Sequence, residues 1–217
     1  MPPRRTTRKK NDQKGRGKEL RIFISGPSGV GKSSIITEIL RRNQDFVLSI
    51  SYTTRPSRPR ELDGKDYFFV TREIFEDMKS RNEFLEWARV HDNLYGTSLS
   101  WMEGRERQGR NILLDIDVQG VRQAQQKNSP GVYIFILPPS IEELARRLAR
   151  RGTEDDEALR IRLRNAKNEL RSWGMYDYLV VNDDIAGAVR DVQSIISALR
   201  CSREEIIERI PWLREIE

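Results

Sequence analysis

One short segment constrains the fold of this 217-residue chain more than any other, Gly26-Pro27-Ser28-Gly29-Val30-Gly31-Lys32-Ser33. It matches the phosphate-binding pattern G-x-x-x-x-G-K-[ST] at every fixed position. A β-rich run, 20–24, precedes it, and the following pattern predicts an amphipathic helix over about 31–42. The glycines let backbone N–H groups turn towards a polyphosphate, and the start of the helix adds positive potential at the same point. The segment therefore predicts a nucleoside triphosphate site.

Apolar runs alternate with helical patterns along most of the chain. Strands are predicted over 20–24, 47–51, 111–117, 132–137 and 178–182. Strands separated by helices predict an α/β fold, a parallel sheet with helices on both faces. Residues 51–98 break this rhythm with short strands, including an alternating run over 83–90, so they predict an inserted lobe with antiparallel pairing. Further helices are predicted over 98–108, 140–150, 157–173 and 185–199 and after Ser202.

The basic character of the chain belongs to its first residues. Residues 1–18 hold eight of the 39 Lys and Arg residues and one of the 33 Asp and Glu residues, so the remainder is nearly neutral. With no apolar residue except Met1 and prolines, this segment is predicted to be a disordered basic tail. Two roles stay open for it: a solubilising extension, or an electrostatic tether to nucleic acid. The folded domain is predicted to span 19–217.

Composition excludes several classes of protein. No apolar run approaches the 18 residues of a membrane helix, and no secretory signal is visible. The single cysteine, Cys201, cannot form an internal disulfide, and the single histidine, His91, excludes a His-rich metal site. His91 lies in a polar loop, where we expect a structural or exposed role. We expect a cytoplasmic protein without membrane association, a monomer or a homodimer.

A second set of candidate residues follows the apolar run Ile112-Leu113-Leu114. Asp115 and Asp117 come at its carboxyl end, where parallel strands present their ligand-binding residues. Residues two apart in a strand share a face, so both carboxylates can reach one cleft. A second interpretation, in which Asp117 only caps the next helix, stays open. Lys32 is expected to reach the β- and γ-phosphates, and Ser33 to bind Mg²⁺.

The predicted lobe carries polar residues suited to a second, smaller anion. Arginine forks match phosphate geometry, and tyrosine and threonine hydroxyls add hydrogen bonds. The candidates are Ser51, Thr53, Thr54, Arg55, Arg58, Arg60, Tyr67, Glu86, Tyr95 and Thr97.

Several blocks of the chain resemble guanylate kinases in order and spacing. These blocks are GPSGVGKSS, SYTTRPSRPRE, DGKDYFFV, EFLEWARVHDNLYGTS, ILLDIDVQG, RRLARRGTED and VVNDD, and together they cover about residues 20–200. The resemblance implies the P-loop nucleoside monophosphate kinase fold, with an inserted mixed GMP-binding lobe at about 51–98 and a helical lid at about 138–172. It also implies reversible, Mg²⁺-dependent transfer of a phosphoryl group from ATP to GMP, in purine nucleotide metabolism.

The resemblance also implies roles for individual residues. For ATP they are Gly26, Pro27, Ser28, Gly29, Val30, Gly31, Lys32, Ser33, Ser34 and Asn182. For the GMP phosphate they are Ser51, Arg55, Arg58, Tyr67 and Tyr95, and for guanine Glu86, Thr97 and Asp117. Catalytic residues are Lys32, Arg147, Arg151 and Arg162, and the Mg²⁺ ligands are Ser33 and, through water, Asp115. Many guanylate kinases have Ser where this chain has Thr97, a change that keeps the hydroxyl.

Two other functions are compatible with such a chain. One is a catalytically inactive guanylate-kinase-like module that binds proteins, although such modules usually lose the phosphate loop or the lid arginines. The other is a related P-loop kinase for a different phosphorylated acceptor, which Glu86 and Thr97 argue against.

Overall fold

The computed structural model of the protein describes residues 19–90, 92–150 and 156–216. The predicted tail 1–18, His91 and the candidate catalytic residue Arg151 lie outside these ranges. In the described part of the chain, no helix is both long and apolar enough to span a bilayer.

Nine strands and eight α-helices are found in the described ranges. The strands are β1 (Arg21–Ser25), β2 (Phe46–Leu48), β3 (Ser51–Thr53), β4 (Phe68–Phe69), β5 (Phe84–Val90), β6 (Asn93–Ser98), β7 (Asn111–Asp115), β8 (Val132–Leu137) and β9 (Tyr178–Val181). The helices are α1 (Lys32–Arg42), α2 (Arg72–Ser80), α3 (Leu99–Arg107), α4 (Val118–Gln126), α5 (Ile141–Arg150), α6 (Asp156–Leu170), α7 (Ile185–Arg200) and α8 (Arg203–Arg209). Short 3₁₀ turns cover Trp173–Met175 and Pro211–Glu215.

The core is a parallel sheet of five strands in the order β2-β7-β1-β8-β9. Its two faces are buried by different helices because side chains alternate along each strand. Ile22 and Ile24 of β1 pack with residues of α1 and α7, whereas Phe23 packs on the other face with Met102 of α3 and Val121 of α4. The predicted α/β fold is confirmed, and all five parallel strands end at the edge that carries the phosphate loop and Asp115.

A second, smaller sheet lies between residues 51 and 98. Its four strands have the order β4-β3-β6-β5, with β3 parallel to β4 and the other pairs antiparallel. Phe75 and Met78 of α2 pack against Phe84 and Leu94 to form its own small core. This lobe, defined as residues 51–98, therefore combines a mixed sheet with a small core of its own.

Helices α5 and α6 form a third unit, which we call the α5–α6 pair. Leu144, Leu148 and Ala166 make a core separate from that of the main sheet. Ser140 accepts a hydrogen bond from the N–H of Glu143 at 3.1 Å, which is one half of a capping box. The Glu143 carboxylate pairs with Arg147 at 2.7 Å instead of returning to the backbone.

The structure differs from the predicted secondary structure in four details. The run 47–51 is not one strand, because the chain leaves the core sheet after β2 and enters the lobe sheet at β3. The alternating run 83–90 contains a β-bulge between Phe84 and Glu86, so Leu85 and Glu86 are both buried. Strand β6, the partner of β5, was not predicted, and the long helix predicted over 157–173 ends at Leu170.

Candidate active site

The phosphate loop has the backbone conformation that its glycines predict. Gly29 and Gly31 have φ of 85° and 100°, and Gly31 is the N-cap of α1. A Cβ added at Gly31 would lie 2.4 Å from the amide nitrogen of Asn182, so this position has no room for a side chain. The loop is therefore shaped by both local backbone and a close neighbour from the end of β9.

Two contacts stabilise the loop. Lys32 donates from Nζ to the carbonyl oxygen of Gly26 at 2.6 Å, which places the ammonium across the mouth of the loop. Asn182 is buried and donates from its side-chain amide to the carbonyl oxygen of Val30 at 2.6 Å. The side-chain oxygen of Asn182 is buried without a hydrogen-bond partner. The predicted ATP-binding residues Gly26 to Ser34 and Asn182 are therefore brought together.

Asp115 and Ser33 line the same cavity as Lys32, a space of about 350 Å³ in front of the loop. Surrounding protein atoms raise the pKa of Asp115, and the nearby positive charge of Lys32 partly opposes this effect. Hydroxyl and carboxylate oxygens are the ligands that Mg²⁺ prefers, and Mg²⁺ in nucleotide sites takes one or two of them together with phosphate oxygens and water. The donor set at this cavity fits that ion.

Asp117 caps α4, because its Oδ1 accepts a hydrogen bond from the N–H of Gly120 at 2.7 Å. It also lines the phosphate-loop cavity. The capping interpretation is confirmed for one carboxylate oxygen, and the proposed contact with a nucleobase stays a prediction.

The predicted ligands of the second phosphate gather around Arg55. Its guanidinium lies 5.4 Å from the ring centre of Tyr67, and that ring lies 6.0 Å from the ring of Tyr95. Arg55 is paired with Glu61 at 2.9 Å, and the same carboxylate accepts a hydrogen bond from the N–H of Arg58 at 2.8 Å. The hydrogen bond to Arg55 is the largest cause that lowers the pKa of Glu61. Sequence reasoning missed Glu61.

Ser51 begins β3 and pairs in register with Thr97 of β6, which connects the phosphate candidates to the guanine candidates. Tyr67 lies within electrostatic range of Asp115. Tyr67, one of the candidate phosphate ligands, therefore lies near Asp115, which lines the phosphate-loop cavity.

Glu86 and Thr97 form a buried pair between β5 and β6. The Thr97 hydroxyl donates to Oε1 of Glu86 at 2.5 Å. Burial is the largest cause that raises the pKa of Glu86 to about 7, and the hydrogen bond from Thr97 acts in the opposite direction. A carboxylate and a hydroxyl in one buried place can together recognise a partner that has both donors and acceptors.

The arginines of the α5–α6 pair have unequal positions. Arg147 donates to the carbonyl oxygens of Asn182 at 3.0 Å and Asp183 at 3.1 Å, so it reaches the loop that follows β9. Arg162 is half-buried on α6.

Beside the loop that follows β9, an open groove of about 610 Å³ runs along α1 and the start of α7, with Ser33, Ser34 and Thr37 in its wall.

Glu169, near the end of α6, is a site residue that sequence reasoning missed. Its carboxylate lines the phosphate-loop cavity near the backbone N–H of Ser28. Burial raises its pKa, and Lys32 opposes this effect. No sequence pattern distinguishes this residue, because Glu169 is one of several charged residues on a charge-rich helix.

A phosphate loop at the carboxyl edge of a parallel sheet, with an inserted lobe and a helical pair beside it, defines a P-loop kinase of the nucleoside monophosphate type. A family model described as guanylate kinase matches residues 18–199. The chain belongs to the guanylate kinase family.

Curated relatives and a solved structure agree with this assignment. The chain is 48% identical to a guanylate kinase of Thermotoga maritima over 191 residues, covering 87% of this chain and 92% of the relative. It is 49% identical to one of Syntrophotalea carbinolica over 196 residues, covering 90% and 93%. The crystal structure of a guanylate kinase from Anaplasma phagocytophilum is similar with a TM-score of 0.68 and 33% identity, covering 88% of this chain and 90% of that one.

Proposed function

We propose that this guanylate kinase family member transfers the γ-phosphoryl group of ATP to GMP, giving ADP and GDP, with the residue roles that follow. The observation that carries the proposal is the buried pair of Glu86 and Thr97, which lies near Asp117. Guanine has donors at N1 and the 2-amino group beside an acceptor at O6. Adenine has a lone pair at N1, which a carboxylate repels.

Binding of guanine would exchange hydrogen bonds at this pair. The Thr97 hydroxyl has one proton, which it donates to Glu86 in the structure. Guanine O6 would accept the hydrogen bond from the Thr97 hydroxyl. The freed carboxylate of Glu86 would then accept hydrogen bonds from N1–H and the 2-amino group. Asp117, with one oxygen not used in the cap, would complete the contact to the 2-amino group.

The phosphate of GMP would bind at Arg55, Arg58, Tyr67, Tyr95 and Ser51. Because Arg55 is paired with Glu61, it is held in one orientation before substrate arrives. A preorganised arginine loses less conformational entropy when it binds a phosphate. Glu61 is thus proposed to orient the fork that receives GMP.

The triphosphate of ATP would bind the N–H groups of the phosphate loop and Lys32, and its adenine would lie in the groove along α1, near Asn182 and Arg147. Mg²⁺, held through Ser33 and through water by Asp115, would neutralise phosphate charge. The attacking GMP phosphate is already an anion, so no general base is required. The chain's main task is to bring two anions together in line and to neutralise the transferred group with Lys32, Arg147, Arg151 and Arg162.

Closure of the α5–α6 pair over the cleft would exclude water and prevent hydrolysis of ATP. Its separate core allows this pair to move as a unit. We also propose a cytoplasmic location and action as a monomer or homodimer, and the two roles of the tail 1–18 stay open.

An assay of ADP release with GMP, AMP, CMP and UMP as acceptors tests this function. We expect ATP- and Mg²⁺-dependent turnover with GMP that exceeds the other three by orders of magnitude, because buried groups left unpaired by a wrong base carry a large penalty. Absence of GDP formation would refute the kinase activity and favour the protein-binding alternative. Preference for another acceptor would favour the related P-loop kinase.

A further inference from the structure

One face of α4 holds the part of β5 that carries Glu86. Gly120, Gln123 and the C-cap residue Lys127 lie on this face, since successive members are three and four residues apart. Each of them contacts β5 within two residues of Glu86. None of these three residues belongs to the proposed site.

The side chain of Gln123 provides the hydrogen bonds that a neighbouring strand would provide to Trp87. β5 is the edge strand of the lobe sheet, so some of its backbone groups lack a strand partner. The Gln123 amide accepts from the N–H of Trp87 at 3.1 Å and donates to the carbonyl oxygen of Trp87 at 2.8 Å. A primary amide has the same donor and acceptor as a peptide group, so this one side chain pairs with both backbone groups of Trp87.

Lys127 and Gly120 contact the residues on the other side of this point. Lys127 donates from Nζ to the carbonyl oxygen of Phe84 at 2.5 Å, at the bulge. A Cβ added at Gly120 would lie 3.1 Å from Oε2 of Glu86, so the bare backbone of α4 forms the wall against this carboxylate. Glu86 is therefore enclosed between two backbone anchors and a close helix.

We propose that Gln123 is a positioning residue for guanine recognition: by holding both backbone groups of Trp87, it fixes the carboxylate of Glu86 at the base. A β-bulge interrupts the ladder and bends its strand, so the direction of Glu86 depends on contacts that hold the bent strand in place. Lys127 supports the same position from the Phe84 side. This inference rests on the proposed role of Glu86 as a guanine ligand.

The test compares two glutamines of α4. Gln123→Met keeps the side-chain length and removes both hydrogen bonds. Gln125→Met is the matched control, because Gln125 is also half-buried on α4 and donates to a backbone carbonyl at 2.6 Å, but to that of Met175, away from β5. Thermal midpoints measure what each change costs the fold.

For Gln123→Met we expect KM for GMP to rise about tenfold, the effect of losing one or two neutral hydrogen bonds, while KM for ATP stays within about twofold. The preference for GMP over IMP, which lacks the 2-amino group, should fall by a similar factor. Gln125→Met should change neither quantity. Equal effects of the two variants on KM for GMP would overturn the proposal.

A double-mutant cycle with Glu86→Gln tests whether Gln123 acts through Glu86. If it does, adding Gln123→Met to Glu86→Gln raises KM for GMP less than twofold further, whereas fully additive effects would contradict the proposal. Should Glu86→Gln itself leave the preference for GMP over IMP unchanged, the role of Glu86 fails, and the inference about Gln123 fails with it.

Lys127→Met is the second variant, for the case in which Gln123→Met does not fold. It removes the contact at Phe84 and should raise KM for GMP about threefold with KM for ATP unchanged. Equal changes in both constants would contradict a positioning role for this face of α4.

Discussion

The phosphate loop and the lobe 51–98 place their ligands in different ways. The loop takes its ligands from eight consecutive residues, and its shape follows from glycines with positive φ and the start of one helix. The lobe takes its candidate ligands from three strands and a long connection. It positions them with a bulge, an ion pair and hydrogen bonds from Gln123 of α4. A contiguous site depends mainly on local backbone, whereas a dispersed site depends on tertiary contacts that residues outside the site supply.

The largest effect is expected from breaking the contiguous site. Lys32→Met should lower kcat about 10³-fold, because no other residue of the loop provides a charge at the transferring phosphoryl group. The thermal midpoint should change little, since only the bond to Gly26 is lost. Lys167→Met, an exposed change on α6, is the control for loss of a positive charge. Near-normal turnover of Lys32→Met would refute the role of the loop.

The burial of Glu86 in the dispersed site should make the stability of the protein depend on pH. Its pKa is raised from 4.5 in the unfolded chain to about 7 in the folded protein, so the folded state binds the proton more tightly. The contribution of Glu86 to stability is therefore present at low pH and is lost as pH rises through about 7. Between pH 5 and 8, the free energy of unfolding of the wild type should fall by about 2 kcal/mol relative to Glu86→Gln.

Denaturant titrations of both proteins at several pH values provide this measurement. Glu76→Gln, an exposed change on α2 of the same lobe, should follow the wild type at every pH. A constant difference between wild type and Glu86→Gln would mean that Glu86 does not titrate in this range.

Glu86→Gln should also separate the two substrates. The amide cannot accept from both N1 and the 2-amino group, so we expect KM for GMP to rise about 30-fold and KM for ATP to stay within about twofold. Initial rates with each substrate varied in turn give both constants. Equal increases would remove Glu86 from the guanine site.

The smallest effect is expected from Glu169, which reaches the phosphate loop from the distant helix α6. Glu169→Gln removes a negative charge from the phosphate-loop cavity, so ATP should bind about threefold more tightly at pH 8 in the absence of Mg²⁺. Isothermal titration calorimetry measures this, with Glu157→Gln at the exposed start of the same helix as the control. Weaker binding by Glu169→Gln would show instead that the carboxylate of Glu169 supports the loop near Ser28.

The sequence was informative about the core and less so about the lobe. Strands β1, β7, β8 and β9 were predicted because buried parallel strands appear as continuous apolar runs between helices. Strand β6, Asn93–Ser98, carries Gly96 and polar residues, so its pattern did not separate it from a loop. The predicted alternation of buried and exposed side chains along β5 fails at the bulge at Leu85, because one extra residue moves the following side chains to the other face.

The candidate site residues that were found from the sequence belong to recognisable motifs. The residues that were missed contact and orient other residues of the site. Glu61 orients Arg55, Gln123 holds Trp87, and Glu169 reaches the loop from a helix more than a hundred residues later in the chain. A charged or amide residue in a helix or loop has many possible partners, and only the folded chain selects one.

The amino-acid sequence alone determined the phosphate loop, the parallel core and the family resemblance, because glycine conformation and apolar periodicity act over short distances along the chain. Only the tertiary structure decided where Glu86 points, what pairs with Arg55 and which face of α4 supports the lobe. Gln123 and Trp87 are 36 residues apart, and their contact depends on backbone groups that are available only on an edge strand. Arg55 and Glu61 are only six residues apart, but both are charged and could pair with many other groups until the lobe folds.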